Sequence, residues 1–190
     1  MPHILNSMKI GTDRIRSIVL SLRNFSRLDE SDKKLADINE GIENTLLLLS
    51  NRIKNRIDLV KNYGKVPSVE CYPSQLNQVF MNLLSNALDA LDEIDGVDKI
   101  ITISTGVVRE NGGKFLEVAI ADNGPGIPDS VKDQIFNPFF TTKPVGKGTG
   151  LGLAISYKIV VDGHGGSIKI SHPPGGGTEF LVKIPISNGK

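Results

Sequence analysis

Asn82, Asn86 and Asp89 recur at helical spacing in the segment QLNQVFMNLLSNALDA, residues 75–90. They are four and then three positions apart, so a helix would place all three on one face. Asparagine is only a moderate helix former, and two of them one turn apart in an otherwise strong helix indicate a purpose. Side-chain carbonyl oxygens suit Mg²⁺, which keeps most of its water and bridges nucleotide phosphates. This face is a candidate metal site, with an ordinary solvated helix face as the alternative.

A second polar signal is the segment DNGPG, residues 122–126, at the end of a predicted strand. The carboxylate of Asp122 can accept a hydrogen bond from an exocyclic amino group such as that of adenine. Gly124 and Gly126 let the backbone turn tightly or come close to a ligand. Asp-Asn-Gly is also common turn chemistry, so a plain turn is the alternative here.

The third signal is the glycine run GKGTGLG, residues 146–152, which leads directly into an apolar helix. Glycines before a helix expose backbone N–H groups, and together with the helix dipole these favour a phosphate. The run is not a P-loop, because its Gly-Lys pair is not followed by Ser or Thr, and it does not contain GxGxxG. Lys143 and Lys147 flank it and could reach phosphate oxygens. A flexible lid without a ligand is the alternative.

Hydrophobic periodicity predicts the elements that position these segments. Helices are expected over residues 4–28, 37–51, 75–90 and 151–161, and strands over residues 57–61, 67–72, 99–108, 114–121, 167–171 and 179–184. This order predicts an α/β fold, a two-layer sandwich of a mixed β-sheet with helices on one face, preceded by an N-terminal helix. The polar residues 29–34 are interpreted as a linker or turn. A heptad seam within residues 15–25 suits packing against a partner helix, although an ordinary amphipathic helix shows the same spacing.

The composition excludes several classes of function. Of 190 residues, 39% are hydrophobic and 23% are charged, with a formal net charge of +1. Since Lys and Arg are spread along the chain, we expect no nucleic-acid surface. No apolar run approaches the roughly 20 residues of a membrane span, so we expect no membrane contact. The single cysteine, Cys71, fits a reducing cytoplasm and is interpreted as a small apolar-leaning residue near a strand end, not as a reactive thiol.

Five segments taken in order resemble the boxes of the ATP-binding domain of bacterial sensor histidine kinases. They are residues 82–86, 122–126, 136–143, 146–152 and 175–180. That domain has the Bergerat (GHKL) fold, which it shares with gyrase-type ATPases. Each box is modest alone, but the five in this order are specific, and the forms FFTTK and NALDA resemble kinases of the nitrogen-regulation type.

The resemblance implies ATP and Mg²⁺ as cofactors and assigns roles to the matching residues. It implies that Asn86, with Asn82, coordinates Mg²⁺, that Asp122 binds the adenine amino group and that Thr178 supports adenine through water. Asn82, Asn86 and Lys143 are the candidate catalytic residues. The further residues that it places at the nucleotide are Asp89, Gly124, Gly126, Ile127, Lys147, Gly148, Thr149, Gly150, Leu151 and Gly152. Phe136, Phe139 and Phe140 would be apolar anchors, with plain core packing as the alternative.

Histidine kinases phosphorylate a histidine in an H box, on the first of two dimerisation helices and typically before an acidic residue. None of the three histidines, His3, His164 and His172, lies in such a pattern. We therefore expect residues 1–33 to be a remnant of the dimerisation domain, its second helix, and residues 36–187 to be the ATP-binding domain. The implied partners are the H-box helix of the full-length kinase, a response regulator receiver domain and a second copy of the full-length protein. His164 is expected to be structural.

Two other functions remain as alternatives. Gyrase-like and chaperone-like ATPases, which resemble this chain in fold, place a Glu four residues before the metal-binding Asn, where it acts as a general base. Here that position is Asn82, which cannot take a proton, so transfer to histidine is favoured over hydrolysis. The second alternative is a non-catalytic nucleotide-sensing or dimerisation module.

Overall fold

A computed structural model describes residues 32–110, 112–144, 148–173 and 175–186. The helix predicted over residues 4–28 lies outside them, as does Lys147. The strands are β1 (Lys34–Ala36), β2 (Asp58–Tyr63), β3 (Val69–Cys71), β4 (Ile100–Glu110), β5 (Gly113–Asp122), β6 (Ser167–Ser171) and β7 (Thr178–Pro185). Within the described part of the chain, no helix is long and apolar enough to span a membrane.

Within residues 32–186, apart from the gaps named above, four α-helices accompany the strands. They are α1 (Ile38–Leu48), α2 (Ser50–Ile53), α3 (Pro73–Asp92) and α4 (Gly152–Tyr157), and a 3₁₀ helix covers Asp129–Gln134. Helix α1 begins after Asp37, whose side chain accepts hydrogen bonds from the backbone N–H groups of Asn39 and Glu40 and so caps the helix. Helix α3, which carries the asparagines, begins with a proline, where the missing N–H costs little.

The main sheet is mixed and has the order β2-β4-β5-β7-β6. Only the β2–β4 pair is parallel, and the other three pairs are antiparallel. Burial alternates along β5 and β7, so one face of each strand is packed. That face and the apolar stripe of α3 belong to one hydrophobic core. The predicted two-layer sandwich with a mixed sheet and helices on one face is confirmed.

Two local predictions differ from the structure. Lys34, which the sequence places in a linker, begins β1, and this strand pairs antiparallel with β3 in a separate two-stranded sheet. A strand of three residues is too short to show a period of two. The helix predicted over residues 151–161 ends as α4 at Tyr157 and continues as a wider π-helical segment, Lys158–Gly163. Its end is fixed by Gly165, which has φ +63° and donates to the carbonyl of Val161.

Cys71 lies at the end of β3 and is completely buried. Burial raises the pKa of its thiol, which disfavours the reactive thiolate. Both observations agree with the structural role expected from the sequence.

Candidate nucleotide site

A cleft of about 380 Å³ opens between α3, the loop after β5, the FNPFFTTK segment and the glycine run. Its volume lies in the range typical of small-molecule sites. The predicted site residues that line it are Asn82, Asn86, Asp122, Gly126, Ile127, Lys143, Gly148, Thr149, Gly150, Gly152 and Thr178. Three others, Asp89, Gly124 and Leu151, are not among the lining residues.

The two asparagines of α3 have different partners. The side-chain nitrogen of Asn82 donates to the Gly152 carbonyl at 2.9 Å and to the Ser156 hydroxyl at 3.2 Å. Asn82 therefore ties α3 to the first turn of α4, and its oxygen is the atom that could ligate a metal. One turn later, the Asn86 oxygen accepts a hydrogen bond from the Lys143 ammonium at 3.1 Å. A cation already lies against this oxygen.

Asp89 does not line the cleft, but its carboxylate accepts a hydrogen bond from Lys143, which does line it. Its Oδ2 lies 2.5 Å from the Lys143 ammonium, and its Oδ1 lies 2.8 Å from the guanidinium of Arg52. Sequence reasoning missed Arg52, because α2 is far from the glycine-rich segments and carries no motif. Within the described residues, no group of three or more His, Cys, Asp or Glu side chains could hold a metal. A metal in this cleft would depend on the amide oxygens, water and its nucleotide.

Asp122, another lining residue of the cleft, is buried, with 5% of its surface exposed. The pKa of its carboxyl group is raised above its usual value because the group is buried. Hydrogen bonds from the backbone N–H groups of Gly124 and Thr178 offset only part of this rise. The Gly124 N–H lies 2.9 Å from Asp122 Oδ1. Thr178 is directly opposite Asp122 in the β5–β7 register and is also buried. The strand pairing thus places a carboxylate and a hydroxyl side by side in a region of low solvent access.

Main chain packs closely beside Asp122. A Cβ atom on Gly177 would lie 1.9 Å from the Asp122 carbonyl oxygen, and Gly177 has φ +94°. Gly126, with φ +80°, would place a Cβ 3.1 Å from the Gly177 carbonyl oxygen. Neither position has room for a side chain, and both backbone angles favour glycine.

The glycine run is fastened to the FNPFFTTK segment. The N–H of Phe139 donates to the Gly150 carbonyl at 2.8 Å, and a Cβ on Gly150 would lie 2.4 Å from the Phe139 carbonyl carbon. Phe139 is 65% exposed with φ +67°, so core packing does not explain it. Phe136 and Phe140 do pack against the core. Leu151 is buried in that core and not at the cleft.

His164 has a structural environment, as expected. Its Nε2 accepts from the backbone N–H of Tyr72 at 3.1 Å, so its proton is on Nδ1, which donates to the Ile159 carbonyl at 2.7 Å. Burial lowers the pKa of the ring, partly offset by the bond to Ile159. The neutral ring joins the start of α3 to the segment after α4.

Asn123 is a second residue whose role the sequence did not indicate. Its side-chain oxygen accepts from the N–H of Ile100 and its nitrogen donates to the carbonyl of Asp98, both at 2.7 Å. Asn123 therefore fixes the loop after β5 to the start of β4, and this keeps the neighbouring Asp122 in place.

Several known proteins have sequences similar to that of this chain. A family described as "Histidine kinase-, DNA gyrase B-, and HSP90-like ATPase" matches residues 71–188. The C4-dicarboxylate transport sensor protein DctB of Rhizobium meliloti (strain 1021) is 36% identical over 175 residues, which cover 91% of this chain and 27% of DctB. The sensory histidine kinase/phosphatase NtrB of the same organism is 34% identical over 187 residues, which cover 94% of this chain and 48% of NtrB. The chain spans less than half the length of these curated relatives.

Solved structures share the fold. The nucleotide-free catalytic domain of histidine kinase ThkA is 32% identical with a TM-score of 0.68, and the match covers 82% of this chain and 98% of that one. ThkA in complex with the response regulator protein TrrA is 26% identical with a TM-score of 0.70, covering 93% of this chain and 49% of that one. The chain belongs to the histidine kinase-, DNA gyrase B-, and HSP90-like ATPase family and is the ATP-binding catalytic domain of a histidine kinase.

Proposed function

We propose that this domain binds Mg²⁺·ATP in the cleft and transfers the γ-phosphate to a histidine on an H-box helix, from which a response regulator receives it. The observation that carries this proposal is the polarity of the cleft. The lining of the cleft contains a buried carboxylate, Asp122, and an amide oxygen that accepts from a cation, Asn86 with Lys143. These groups suit the two parts of an adenine nucleotide, the carboxylate the amino group of the base and the cation the phosphates, so Asn86 and Lys143 would form the phosphate end of the site.

Asp122 is the residue that we assign to the adenine amino group. A carboxylate only accepts hydrogen bonds, so it favours the amino group of adenine over the carbonyl that guanine presents at the same place. We assign Thr178, its neighbour across the strands, to a water-mediated contact with the base. Gly126 and Ile127 would form the wall beside the ring, and Gly124 would act on the adenine contact through its N–H, which donates to Asp122.

Asn86 and Asn82 are the proposed ligands of Mg²⁺. The Asn86 oxygen suits a cation because it already faces an ammonium group in this structure. When bound, Mg²⁺ would neutralise part of the charge of the phosphates. Lys143, Lys147 and the backbone of residues 148–152 would bind the phosphates, and Asp89 would act through Lys143.

Asn82 supports phosphotransfer over hydrolysis. Its amide nitrogen donates to the Gly152 carbonyl and the Ser156 hydroxyl. An amide has no basic site that could take a proton from an attacking water at neutral pH. A histidine nucleophile needs no such base. Intrinsic ATP hydrolysis should therefore be close to background.

The partners are proposals at the level of the full-length kinase. ThkA has been solved with the response regulator TrrA, and we propose a receiver domain of that kind as a partner here. The H-box helix and a second copy of the full-length kinase complete the set. We keep the division into residues 1–33, from a dimerisation domain, and residues 36–187, the catalytic domain. We place the domain in the cytoplasm, since its single cysteine fits a reducing compartment.

The test uses γ-³²P-labelled ATP with Mg²⁺ and a separate polypeptide that carries an H-box helix. We expect label on that polypeptide, stable in base and lost in acid, and no label on this chain. Asn86→Ala should abolish the transfer, and Asn77→Ala, on the same helix, is the matched control. Steady phosphate release without an acceptor, abolished by Asn86→Ala, would instead identify an ATPase. Acid-labile label on His3, His164 or His172 would also contradict the proposal.

A further inference from the structure

A line of charged side chains runs from the cleft to the short helix α2. The Lys143 ammonium and the Arg52 guanidinium contact different oxygens of the Asp89 carboxylate, at 2.5 Å and 2.8 Å. The Arg52 nitrogen also lies 2.8 Å from Asp92, and Arg56 lies 3.2 Å from the other oxygen of Asp92. Asp89 is therefore shared by two cations, and of these two Lys143 is the one that lines the cleft.

We propose that Arg52 is a positioning residue for the phosphate end of the site, acting through Asp89 on Lys143. The inference rests on the proposed function, because it concerns how the domain binds the phosphates of ATP. The orientation of the carboxylate carries it. With Oδ1 engaged by Arg52, Asp89 presents Oδ2 to Lys143, and the ammonium is held against the cleft wall beside Asn86.

Loss of the Arg52 charge should weaken phosphate binding in two ways. A carboxylate that is no longer shared with Arg52 would attract the Lys143 ammonium more strongly, so that the ammonium would be less available to a phosphate. The phosphate end would also carry one more net negative charge, and it would repel the triphosphate. Both effects reduce affinity for ATP, and neither acts through a contact of Asp122.

Because these side chains are partly exposed, an effect of Arg52 on ATP binding can be distinguished from an effect on the stability of the fold. The side chains of Arg52 and Asp89 are 37% and 34% exposed. Ion pairs with this much solvent contact contribute little to the free energy of unfolding. A change at Arg52 should therefore leave the fold almost unaffected while it alters the electrostatics of the phosphate end.

The test compares Arg52→Met with Arg56→Met, a matched control that removes a neighbouring cation whose contact is to Asp92. Calorimetry measures Mg²⁺·ATP binding, and competition measures adenosine binding. We expect Arg52→Met to weaken ATP binding by about 3- to 10-fold and to leave adenosine binding unchanged. Arg56→Met should change neither, and Arg52→Lys should restore part of the ATP affinity because it keeps the charge.

A double-mutant cycle tests whether Asp89 transmits the effect. In an Asp89→Asn background, Arg52→Met should cause a clearly smaller loss of ATP affinity than in the parent, because only the repulsion by the added net charge remains. An equal loss in that background, or an equal loss of adenosine binding, would overturn the proposal. So would Arg52→Met behaving like Arg56→Met. If the unmodified protein fails to bind ATP, the proposed function fails; if it binds and Arg52→Met has no effect, this inference alone fails.

Discussion

Lys143 donates a hydrogen bond over 3.1 Å to Asn86 Oδ1, the oxygen that we propose for Mg²⁺. An ammonium group and a divalent cation repel each other, so Mg²⁺ at this oxygen would weaken its contact with Lys143. We therefore expect binding of Mg²⁺·ATP to move the lysine away from Asn86. The Asp89 carboxylate, 2.5 Å from the same ammonium, can hold it nearby when it moves.

Lys143→Met should weaken ATP binding more in the absence of Mg²⁺ than in its presence. Without the metal, the lysine is a main source of positive charge at the phosphates, and a hydrogen bond to a charged group is worth roughly 1.5–3 kcal/mol. With saturating Mg²⁺ the metal supplies that charge. The measurement is ATP affinity by calorimetry with Mg²⁺ and with EDTA. Lys132→Met, whose lysine pairs with Asp129 away from the cleft, is the control. Equal losses of ATP affinity with Mg²⁺ and with EDTA would show that Lys143 does not act on the phosphates in this way.

Asp122→Asn should weaken ATP binding by roughly 1.5–3 kcal/mol, the usual range for a charge-assisted hydrogen bond. GTP, which lacks the adenine amino group, should lose less affinity. Asp133→Asn, a substitution at an exposed acidic residue, is the matched control. Competition binding with both nucleotides gives the comparison, and unchanged ATP affinity in the variant would exclude Asp122 from the adenine site.

The stability of the protein should fall between pH 7.5 and pH 5.5 in a way that depends on His164. Its pKa is lowered in the folded state by burial, while the unfolded chain has an ordinary value of about 6.5. The contribution to stability is therefore complete above pH 6.5 and is lost as the pH falls toward the lower, folded-state pKa. Urea unfolding of the parent and of His164→Gln measures this.

His164→Gln should show the smaller pH dependence over that interval. His172→Gln leaves His164 in place and should keep the full dependence of the parent. The same slope in all three proteins would show that His164 is not the group responsible.

Gly150→Ala should destabilise the protein more than Gly165→Ala. Both glycines have positive φ, +66° and +63°, but a Cβ at 150 would lie 2.4 Å from the Phe139 carbonyl carbon while nothing lies within 4 Å at 165. The backbone angle alone costs roughly 1–2 kcal/mol in both variants. The contact adds to this only at 150, and it should also reduce ATP affinity. Thermal unfolding and calorimetry measure the two effects, and equal destabilisation would mean that the segment relaxes freely.

The sequence predicted those parts of the site that depend on local patterns. The apolar stripe of α3 leaves Asn82 and Asn86 on one face whatever the rest of the fold does, because helical periodicity sets it. Asp122 follows a stretch of alternating apolar residues, so its place at the C-terminal end of a strand was also predictable. The strand β1 was not, since its three residues are stabilised by pairing with β3, far along the chain.

Contacts between distant segments could not be predicted in the same way. Asp89 was expected at the nucleotide, but its carboxylate binds Lys143 and Arg52. Arg52 stands in an unremarkable stretch of sequence, and its role follows from where α2 packs against the end of α3. Phe139 was interpreted as an apolar anchor or a core residue, yet its positive φ turns it toward solvent.

The close main-chain packing beside Asp122 has a consequence for resistance to inhibitors. Gly177 lies so close to the Asp122 carbonyl that a side chain at this position would overlap backbone atoms. Gly126 lines the cleft there and packs against Gly177, so a small molecule beside Asp122 would contact peptide groups, which are the same whatever residue the gene encodes. Substitutions that enlarge either glycine would disturb the domain itself, so few mutations at these positions could exclude such a compound. Compounds that instead depend on the side chains of the phosphate end would meet a surface that mutation can change more freely.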